Sequence, residues 1–285
     1  MNLKKIASAL LALLMGLFTG CKDEKTDTAE MSSVKESGKV VVTALNVGKA
    51  DCFVIQSGQS VTVIDTGTEE SSAYVESFLN RQGITQIDVL MLTHFDRDHV
   101  GGADKLIKHY DIGKVYATYY IAKESDDIDE YVKALKKKQL EPVLVDQTVT
   151  FTLDGVTWQL FPPQKDDYKK EISNNSSMVA RMCYGETSVL FTGDAQKARI
   201  DELLDIDGLQ SNVIKMPHHG CYEKNLDDLL EHVQPRYAIL TDAKAQPADD
   251  KTLDLLEEYG VKAYSTKDGD IVITTDGENV SVSQP

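Results

Sequence analysis

The feature that most constrains this chain is a short run of side chains that can bind metals, residues 94 to 99, placed directly after an apolar segment. The run supplies two imidazoles and two carboxylates, from His94, Asp96, Asp98 and His99. The segment before it, Ile87 to Leu92, has the pattern of a buried strand, and Gly101-Gly102 behind it free the backbone to turn. Loops at strand ends commonly carry functional side chains, and imidazole with carboxylate suits ions such as Zn²⁺ or Mn²⁺. The run therefore predicts a metal site.

Two further turns of the same kind lie downstream. Thr192-Gly193-Asp194 ends one apolar segment, and Pro217-His218-His219-Gly220 follows another. A single acidic turn could equally be a solvated loop, but three strand-end turns with ligand-type residues favour one shared metal site. His109 and His232 lie within helical patterns, and we expect them to be structural or exposed.

The periodicity of the chain predicts strands interspersed with helices. The predicted strands are Val40 to Leu45, Cys52 to Gln56, Val61 to Ile64, Ile87 to Leu92, Thr148 to Leu153, Val156 to Phe161, Met178 to Tyr184, Val189 to Thr192, Val213 to Lys215, Tyr237 to Leu240, Ile271 to Thr274 and Val280 to Val282. The predicted helices are Glu70 to Gln82, Ala195 to Leu204, Leu226 to His232 and Thr252 to Tyr259. This order predicts two sheets packed face to face with helices outside.

The N-terminus is typical of a signal peptide covering residues 1 to 20. Lys4 and Lys5 precede an apolar run, Ile6 to Phe18, which is shorter than the roughly 20 residues needed to cross a bilayer. Phe18-Thr19-Gly20-Cys21 resembles a bacterial lipobox, which implies that Cys21 is lipidated and anchors an extracytoplasmic lipoprotein to the cell membrane. A secreted protein cut elsewhere, or a single amphipathic anchor, is the alternative.

The rest of the chain divides into a tether and one domain. Residues 21 to 38 are polar and carry almost nothing to bury, which predicts a flexible tether. Residues 39 to 285 have the length of one large α/β domain. The cysteines after Cys21 are Cys52, Cys183 and Cys221, an odd number with no paired spacing, so we expect no disulfide framework.

The charge balance limits the partners of the protein. The 30 basic and 46 acidic residues leave a formal charge of −16, so long polyanions should be repelled on average, although a local basic groove could still bind a phosphate. The dense basic cluster, Lys133 to Lys138, has helical spacing, and we expect it to be a solvated helix face.

The three turns together resemble the metallo-β-lactamase superfamily, over essentially all of residues 39 to 285. His-x-Asp-x-Asp-His, Gly-Asp and His-His-Gly follow an early strand that ends in Val63-Ile64-Asp65-Thr66-Gly67. Asp96 at the usual middle-His position, Asn174-Asn175-Ser176-Ser177 and Met216-Pro217-His218-His219-Gly220 are similar to the hydrolase domain of ComEC-type DNA-uptake proteins. The resemblance implies an α+β fold, the αββα sandwich of two mixed sheets with outer helices, and a metal site at one edge between the sheets.

The resemblance also implies a role for each matching residue. The implied metal ligands are His94, Asp96, Asp98, His99, Asp194 and His218. His94 and Asp96 would bind a first ion, Asp98 and His99 a second, with Asp194 bridging and His218 completing the second site. Asp98 would also orient the nucleophile, and His219 would donate to the substrate or leaving group. The implied substrate-binding residues are Asn175, Ser177 and Lys215. One or two divalent ions, Zn or Mn, would be the cofactor, although the usual third His of the first site has no counterpart.

Three classes of function remain open. A phosphodiester or phosphoester hydrolase is favoured, in the narrower case a nuclease linked to DNA uptake with DNA as its substrate. Tyr116, Tyr119 and Tyr120 could stack on bases, but core or rim packing is the more expected role. An acyl or lactam hydrolase needs a His-rich site, from which Asp96 departs, and a non-enzymatic metal-binding module is the third class. We expect a membrane contact through the Cys21 anchor and no obligate protein partner.

Overall fold

The computed structural model describes residues 38–121, 124–165 and 167–285. The signal peptide expected at residues 1–20, the lipidation site expected at Cys21 and residues 22–37 of the expected tether lie outside these ranges. Within the described part of the chain, no helix combines the length and the apolar character needed to cross a membrane.

Secondary structure alternates along the described chain, with elements numbered here in chain order. The strands are β1 (Val40–Ala44), β2 (Phe53–Ser57), β3 (Ser60–Ile64), β4 (Gln86–Leu92), β5 (Asp111–Thr118), β6 (Val143–Val145), β7 (Val149–Leu153), β8 (Val156–Phe161), β9 (Val179–Tyr184), β10 (Thr187–Phe191), β11 (Val213–Lys215), β12 (Tyr237–Leu240), β13 (Lys262–Ser265), β14 (Ile271–Thr275) and β15 (Val280–Ser283). The helices are α1 (Ser72–Arg81), α2 (Arg97–Val100), α3 (Ala103–His109), α4 (Asp126–Lys138), α5 (Ile172–Asn175), α6 (Lys197–Leu204), α7 (Leu226–Val233) and α8 (Asp250–Glu258).

The strands form two mixed sheets. The first has the order β15-β14-β1-β2-β3-β4-β5-β6, and the second has the order β13-β12-β11-β10-β9-β8-β7. In the first sheet, β1 to β3 are antiparallel and β3 to β6 are parallel. In the second, β7 to β10 are antiparallel and β10 to β13 are parallel.

Three buried apolar layers hold the sheets and helices together. Alternation along β2 sends Phe53 and Ile55 to the layer between the sheets and Val54 to the layer under the helices. Phe53 meets Phe191 of the opposite sheet edge-to-face, with ring centroids 5.1 Å apart. The outer layers pack α1, α3 and α4 on the first sheet, and α6, α7 and α8 on the second. The predicted αββα sandwich is therefore confirmed.

The sheet topology brings several loops to one edge of the sandwich. Parallel neighbours end on the same side of a sheet. Asp65 follows β3, the 94–99 run follows β4, Asp194 follows β10 by three residues, and the His218-His219 turn follows β11. The loop between β1 and β2 carries Asp51 to the same edge, because Asp51 N donates to Asp98 O at 3.1 Å.

Candidate metal centre

His99 is fixed from behind by Asp65. His99 Nδ1 lies 2.8 Å from Asp65 Oδ2, and both side chains are fully buried. Thr93 holds that carboxylate through its backbone N at 2.8 Å and its hydroxyl at 2.7 Å. His99 Nε2 is therefore free to point the other way, where it lies 3.3 Å from Asp194 Oδ1. A carboxylate behind an imidazole is the usual support of a metal-ligating histidine.

His219 lies at the centre of the same cluster. Its Nε2 is 3.1 Å from both Asp98 Oδ2 and Asp194 Oδ2, and its side chain is fully buried. Its Nδ1 lies 3.0 Å from Thr241 Oγ1 and 3.3 Å from Asp51 Oδ1. Like His99, it turns Nε2 towards Asp194 and Nδ1 towards supporting groups.

His218 lies closer to solvent than its neighbour. Its side chain is 24% exposed, its Nε2 is 4.0 Å from Asp194 Oδ2, and its Nδ1 is 2.9 Å from Gln196 Nε2. Both histidines have a left-handed backbone, with φ of 46° and 57°, which non-glycine residues adopt at a cost of about 1–3 kcal/mol each, commonly at functional sites. The assignment of His218 as the ligand stays a prediction, and the geometry adds His219 as a second candidate.

His94 and Asp96 form the other half of the site. His94 is fully buried, its ring centroid lies 4.0 Å from that of His99, and its Nε2 is 3.7 Å from Asp96 Oδ2. Ser173 of α5 donates to Asp96 Oδ1 at 2.7 Å, which orients the carboxylate. The structure therefore brings together all six metal ligands that the resemblance implied.

The buried donor atoms fit a divalent cation. Asp51, His99, Asp194 and His219 form a buried group whose ligand atoms lie within 4.8 Å of one another. His94 Nε2 and His99 Nε2 make no hydrogen bond to any described residue, although both are buried. An orphaned buried nitrogen costs about 1–3 kcal/mol, and a cation among these nitrogen and carboxylate donors would satisfy both atoms.

The electrostatics divide the histidines into two kinds. Burial, followed by the charge of His99, lowers the pKa of His94 to about 3. Burial alone would also lower the pKa of His219, but Asp194, Asp51 and Asp98 outweigh it and raise the pKa to about 10. Burial opposes a charged Asp98, yet His99 and His219 lower its pKa to about 2. Without a metal, these shifts favour a neutral imidazole at His94 and a protonated one at His219.

The three residues expected to bind substrate are buried beside the centre and have partners in the protein. Asn175 Nδ2 donates to the carbonyls of Lys170 and Glu171, and Ser177 Oγ accepts from Asp194 N at 3.1 Å. Lys215 Nζ lies 2.7 Å from Asp51 Oδ2 and 3.2 Å from Asp194 Oδ1. Their assignment to substrate binding stays a prediction, and these contacts also give each of them a supporting role.

Sequence reasoning missed Asp51, Asp65 and Thr241 as members of the centre. A local signal was present for Asp65 and Thr241, because they directly follow the buried strands β3 and β12 at the edge where the ligand-bearing turns lie. Asp65 stood in the strand motif used for the family resemblance, but without a role.

Fold and site together define a class of protein, an αββα sandwich with a buried His and Asp cluster at the shared edge of its two sheets. The family model described as the metallo-beta-lactamase superfamily matches residues 45–240. The chain belongs to the metallo-beta-lactamase superfamily.

Comparisons with individual proteins show which members of the superfamily this chain resembles. The chain is 27% identical over 193 residues to ComE operon protein 3 of Bacillus subtilis, covering 66% of this chain and 24% of that protein. It is 25% identical over 211 residues to competence protein ComA of Neisseria gonorrhoeae, covering 73% and 28%. The chain thus spans about a quarter of the length of these relatives. The metallo-beta-lactamase fold protein YhfI from Bacillus subtilis superposes with a TM-score of 0.56 at 11% identity, covering 86% of this chain and 100% of that one. The expected likeness to ComEC-type hydrolase domains is confirmed.

Proposed function

We propose that this protein is a metal-dependent phosphodiester hydrolase that acts outside the cytoplasmic membrane. The observation that carries the proposal is the oxygen-rich composition of the centre, where Asp96, Asp98 and Asp194 face the ring nitrogens of His94, His99 and His219. Carboxylates suit the harder divalent ions that stabilise charge on phosphoryl oxygens. A lactam hydrolase is expected to have a site richer in histidine.

Each side chain of the centre has a place in this proposal. His94 and Asp96 would hold one ion, and Asp98, His99 and Asp194 a second, with His218 or His219. Bound there, such ions lower the pKa of water towards 7 and offset charge that develops on the phosphoryl group. The Asp98 side chain is 33% exposed, so it reaches the opening of the site and can orient an attacking water. His218 also faces the opening, which supports it as the group that touches substrate.

The narrower version of the proposal is that the substrate is DNA. The names of two relatives, ComE operon protein 3 and competence protein ComA, support it. The net charge of −16 disfavours it, because backbone neutralisation normally brings polynucleotides to a protein. We therefore place phosphodiesters in general ahead of DNA.

The extracytoplasmic location rests on the N-terminal 21 residues. If Cys21 is lipidated, the wild-type protein should fractionate with membranes and Cys21→Ala should be released into the soluble fraction. Membrane retention of Cys21→Ala would contradict the lipid anchor.

A substrate panel tests the proposed activity. The purified domain, supplied with Zn²⁺ or Mn²⁺, would be assayed on bis-p-nitrophenyl phosphate, single- and double-stranded DNA, a phosphorylcholine ester and a chromogenic cephalosporin. We expect turnover of at least one phosphodiester and none of the cephalosporin. Hydrolysis of the cephalosporin alone would overturn the proposal in favour of lactam chemistry.

A further inference from the structure

A buried ion pair lies behind the candidate ligands. Lys215 Nζ is 2.7 Å from Asp51 Oδ2, and the two side chains are 1% and 2% exposed. The same ammonium donates to the carbonyl of Gly193 at 2.6 Å and lies 3.2 Å from Asp194 Oδ1. Lys215 therefore joins the loop before β2 to the turn that carries Asp194.

Asp51 faces the supporting side of two histidines. Its Oδ1 lies 3.3 Å from His219 Nδ1, and its Oδ2 lies 3.8 Å from His99 Nδ1. Both histidines point the opposite ring nitrogen, Nε2, at Asp194. Asp51 belongs to the buried group of possible ligands described above. Its two oxygens face Lys215 Nζ and the Nδ1 side of His219, away from the Nε2 atoms that point at Asp194, so we place this carboxylate behind the ligands.

The backbone of Asp51 is tied into the same edge. Its N donates to Asp98 O at 3.1 Å, and its carbonyl accepts from Gly67 N at 2.8 Å. The pair thus stands on a loop that is fixed to two other loops of the centre, so the position of its side chains is set by the fold.

We propose that Asp51 and Lys215 act as a positioning pair, which holds Asp194 and His219 in the arrangement that binds a divalent ion before the ion arrives. The inference rests on the metal-dependent centre of the proposed function. Groups that orient metal ligands typically change metal affinity 10–100-fold when they are replaced.

The Asp51–Lys215 pair carries no net charge. An effect of the pair on the positions of the ligands can therefore be distinguished from an effect of charge on the cation. The variant Asp51→Asn/Lys215→Met keeps the net charge of the cluster and removes the ion pair. If only the summed charge matters to the cation, this double variant binds metal as the wild type does. If the pair positions the ligands, its affinity falls. Removing one partner of a buried ion pair leaves an uncompensated charge, whereas the double variant removes both charges and is therefore expected to fold.

The experiment measures the Kd for Zn²⁺ and Mn²⁺ by competition with a chromogenic chelator, beside circular dichroism and Tm. We expect the double variant and Asp51→Asn to bind each ion about 10–100-fold more weakly than the wild type. The matched control is Asp104→Asn/Lys108→Met, which removes an ion pair of 2.6 Å within α3, and its affinity should stay within about twofold of the wild type.

Affinity of the double variant equal to that of the wild type would overturn the inference. If the double variant does not fold, Lys215→Arg replaces it, because Arg keeps the charge but not the compact ammonium, and the same loss is expected. If the wild type binds metal but hydrolyses no phosphodiester, the proposed activity is wrong, and the role of the Asp51–Lys215 pair is still tested by the Kd values. A wild type that binds neither metal defeats both.

Discussion

At the scale of single residues, protons and metal compete for the same imidazole nitrogens. His99 Nε2 and His219 Nε2 both lie within 3.3 Å of Asp194. Although burial opposes it, Asp194 and the neighbouring carboxylates raise the pKa of His99 well above its ordinary value, as they do for His219. A divalent ion must displace those protons, so metal binding should release protons into solution.

The metal-free protein should lose stability in alkali. The pKa of His219 is about 10 in the folded state and 6.5 as its ordinary value, so its stabilising contribution is complete below pH 6.5 and lost as pH rises towards 10. Tm measured in chelator should fall from pH 6.5 to 9.5, and His219→Gln should flatten this fall. The depressed pKa of Asp98 acts only below 3.8 and does not disturb the test. An equal alkaline fall in the variant would contradict the assignment.

The sequence predicted residues of the centre where the signal was local. His94, Asp96, Asp98 and His99 were found because they occur within one turn after an apolar strand. Asp51 was not found because its partners, His219 and Lys215, meet it only after both sheets have formed. Whether His218 or His219 is the more buried depends on the left-handed backbone of both residues. The periodicity of the sequence does not predict such a backbone.

At the scale of elements, Gly101 and Gly102 are needed for close packing. The sequence suggested backbone freedom, but both residues have ordinary right-handed helical angles. A Cβ at Gly102 would lie 2.5 Å from the carbonyl oxygen of Thr66. Thr66 in turn donates to His99 O through its backbone N and its hydroxyl, both at 2.8 Å. The glycines let the 65–67 loop approach the helical turn that carries His99.

Gly102→Ala should therefore damage the centre. The new methyl group must push the Thr66 loop away from His99, which we expect to destabilise the fold by about 1–3 kcal/mol and to weaken metal binding. Urea unfolding and chelator competition would measure the two effects. Lys105, one turn on, forms ion pairs with Glu69 and Asp104 at the surface of the described domain, so Lys105→Ala should change stability by no more than about 0.5 kcal/mol. Wild-type stability in Gly102→Ala would contradict the packing argument.

The bounds of the strands were predicted correctly where most residues of the strand are buried and therefore apolar. β8, β11 and β12 have the predicted bounds, because their residues are mostly buried. β5, β6 and β13 were not predicted, and β6 and β13 each bury only one residue, so they leave little apolar pattern. β5 contains Gly113, and a glycine inside an apolar segment usually indicates the end of a strand. Here the glycine is needed for close packing, because a Cβ at Gly113 would lie 2.7 Å from Asp88 O of the neighbouring strand.

At the scale of the whole molecule, the sequence predicted the layers but not the pairing of the ends. The two-sheet sandwich followed from the order of strands and helices, whereas the C-terminal hairpin β14-β15 returns to pair with β1 of the first sheet. This pairing joins the two ends of the domain, and the local pattern of apolar residues does not predict contacts between segments so far apart in sequence.

The net charge of −16 makes a prediction about polynucleotides. If DNA is a substrate, the net negative charge of the protein should repel it. Salt screens this repulsion over a Debye length of about 8–10 Å. Raising NaCl from about 50 to about 200 mM should leave kcat/KM on single-stranded DNA unchanged or higher, whereas a basic nuclease loses affinity steeply. Bis-p-nitrophenyl phosphate is the control, and a tenfold loss confined to DNA would reveal a basic groove.

The central claim, that this edge of the sandwich is a metal centre that hydrolyses phosphodiesters, is tested most directly at Asp194. Metal content by plasma mass spectrometry and bis-p-nitrophenyl phosphate turnover would be measured on the same samples of wild type and Asp194→Ala, as Zn²⁺ or Mn²⁺ is titrated in. We predict that wild-type turnover rises with bound metal and that Asp194→Ala loses at least about 100-fold in kcat together with bound metal. Wild-type hydrolysis by Asp194→Ala, or turnover unchanged in metal-stripped protein, would contradict the account.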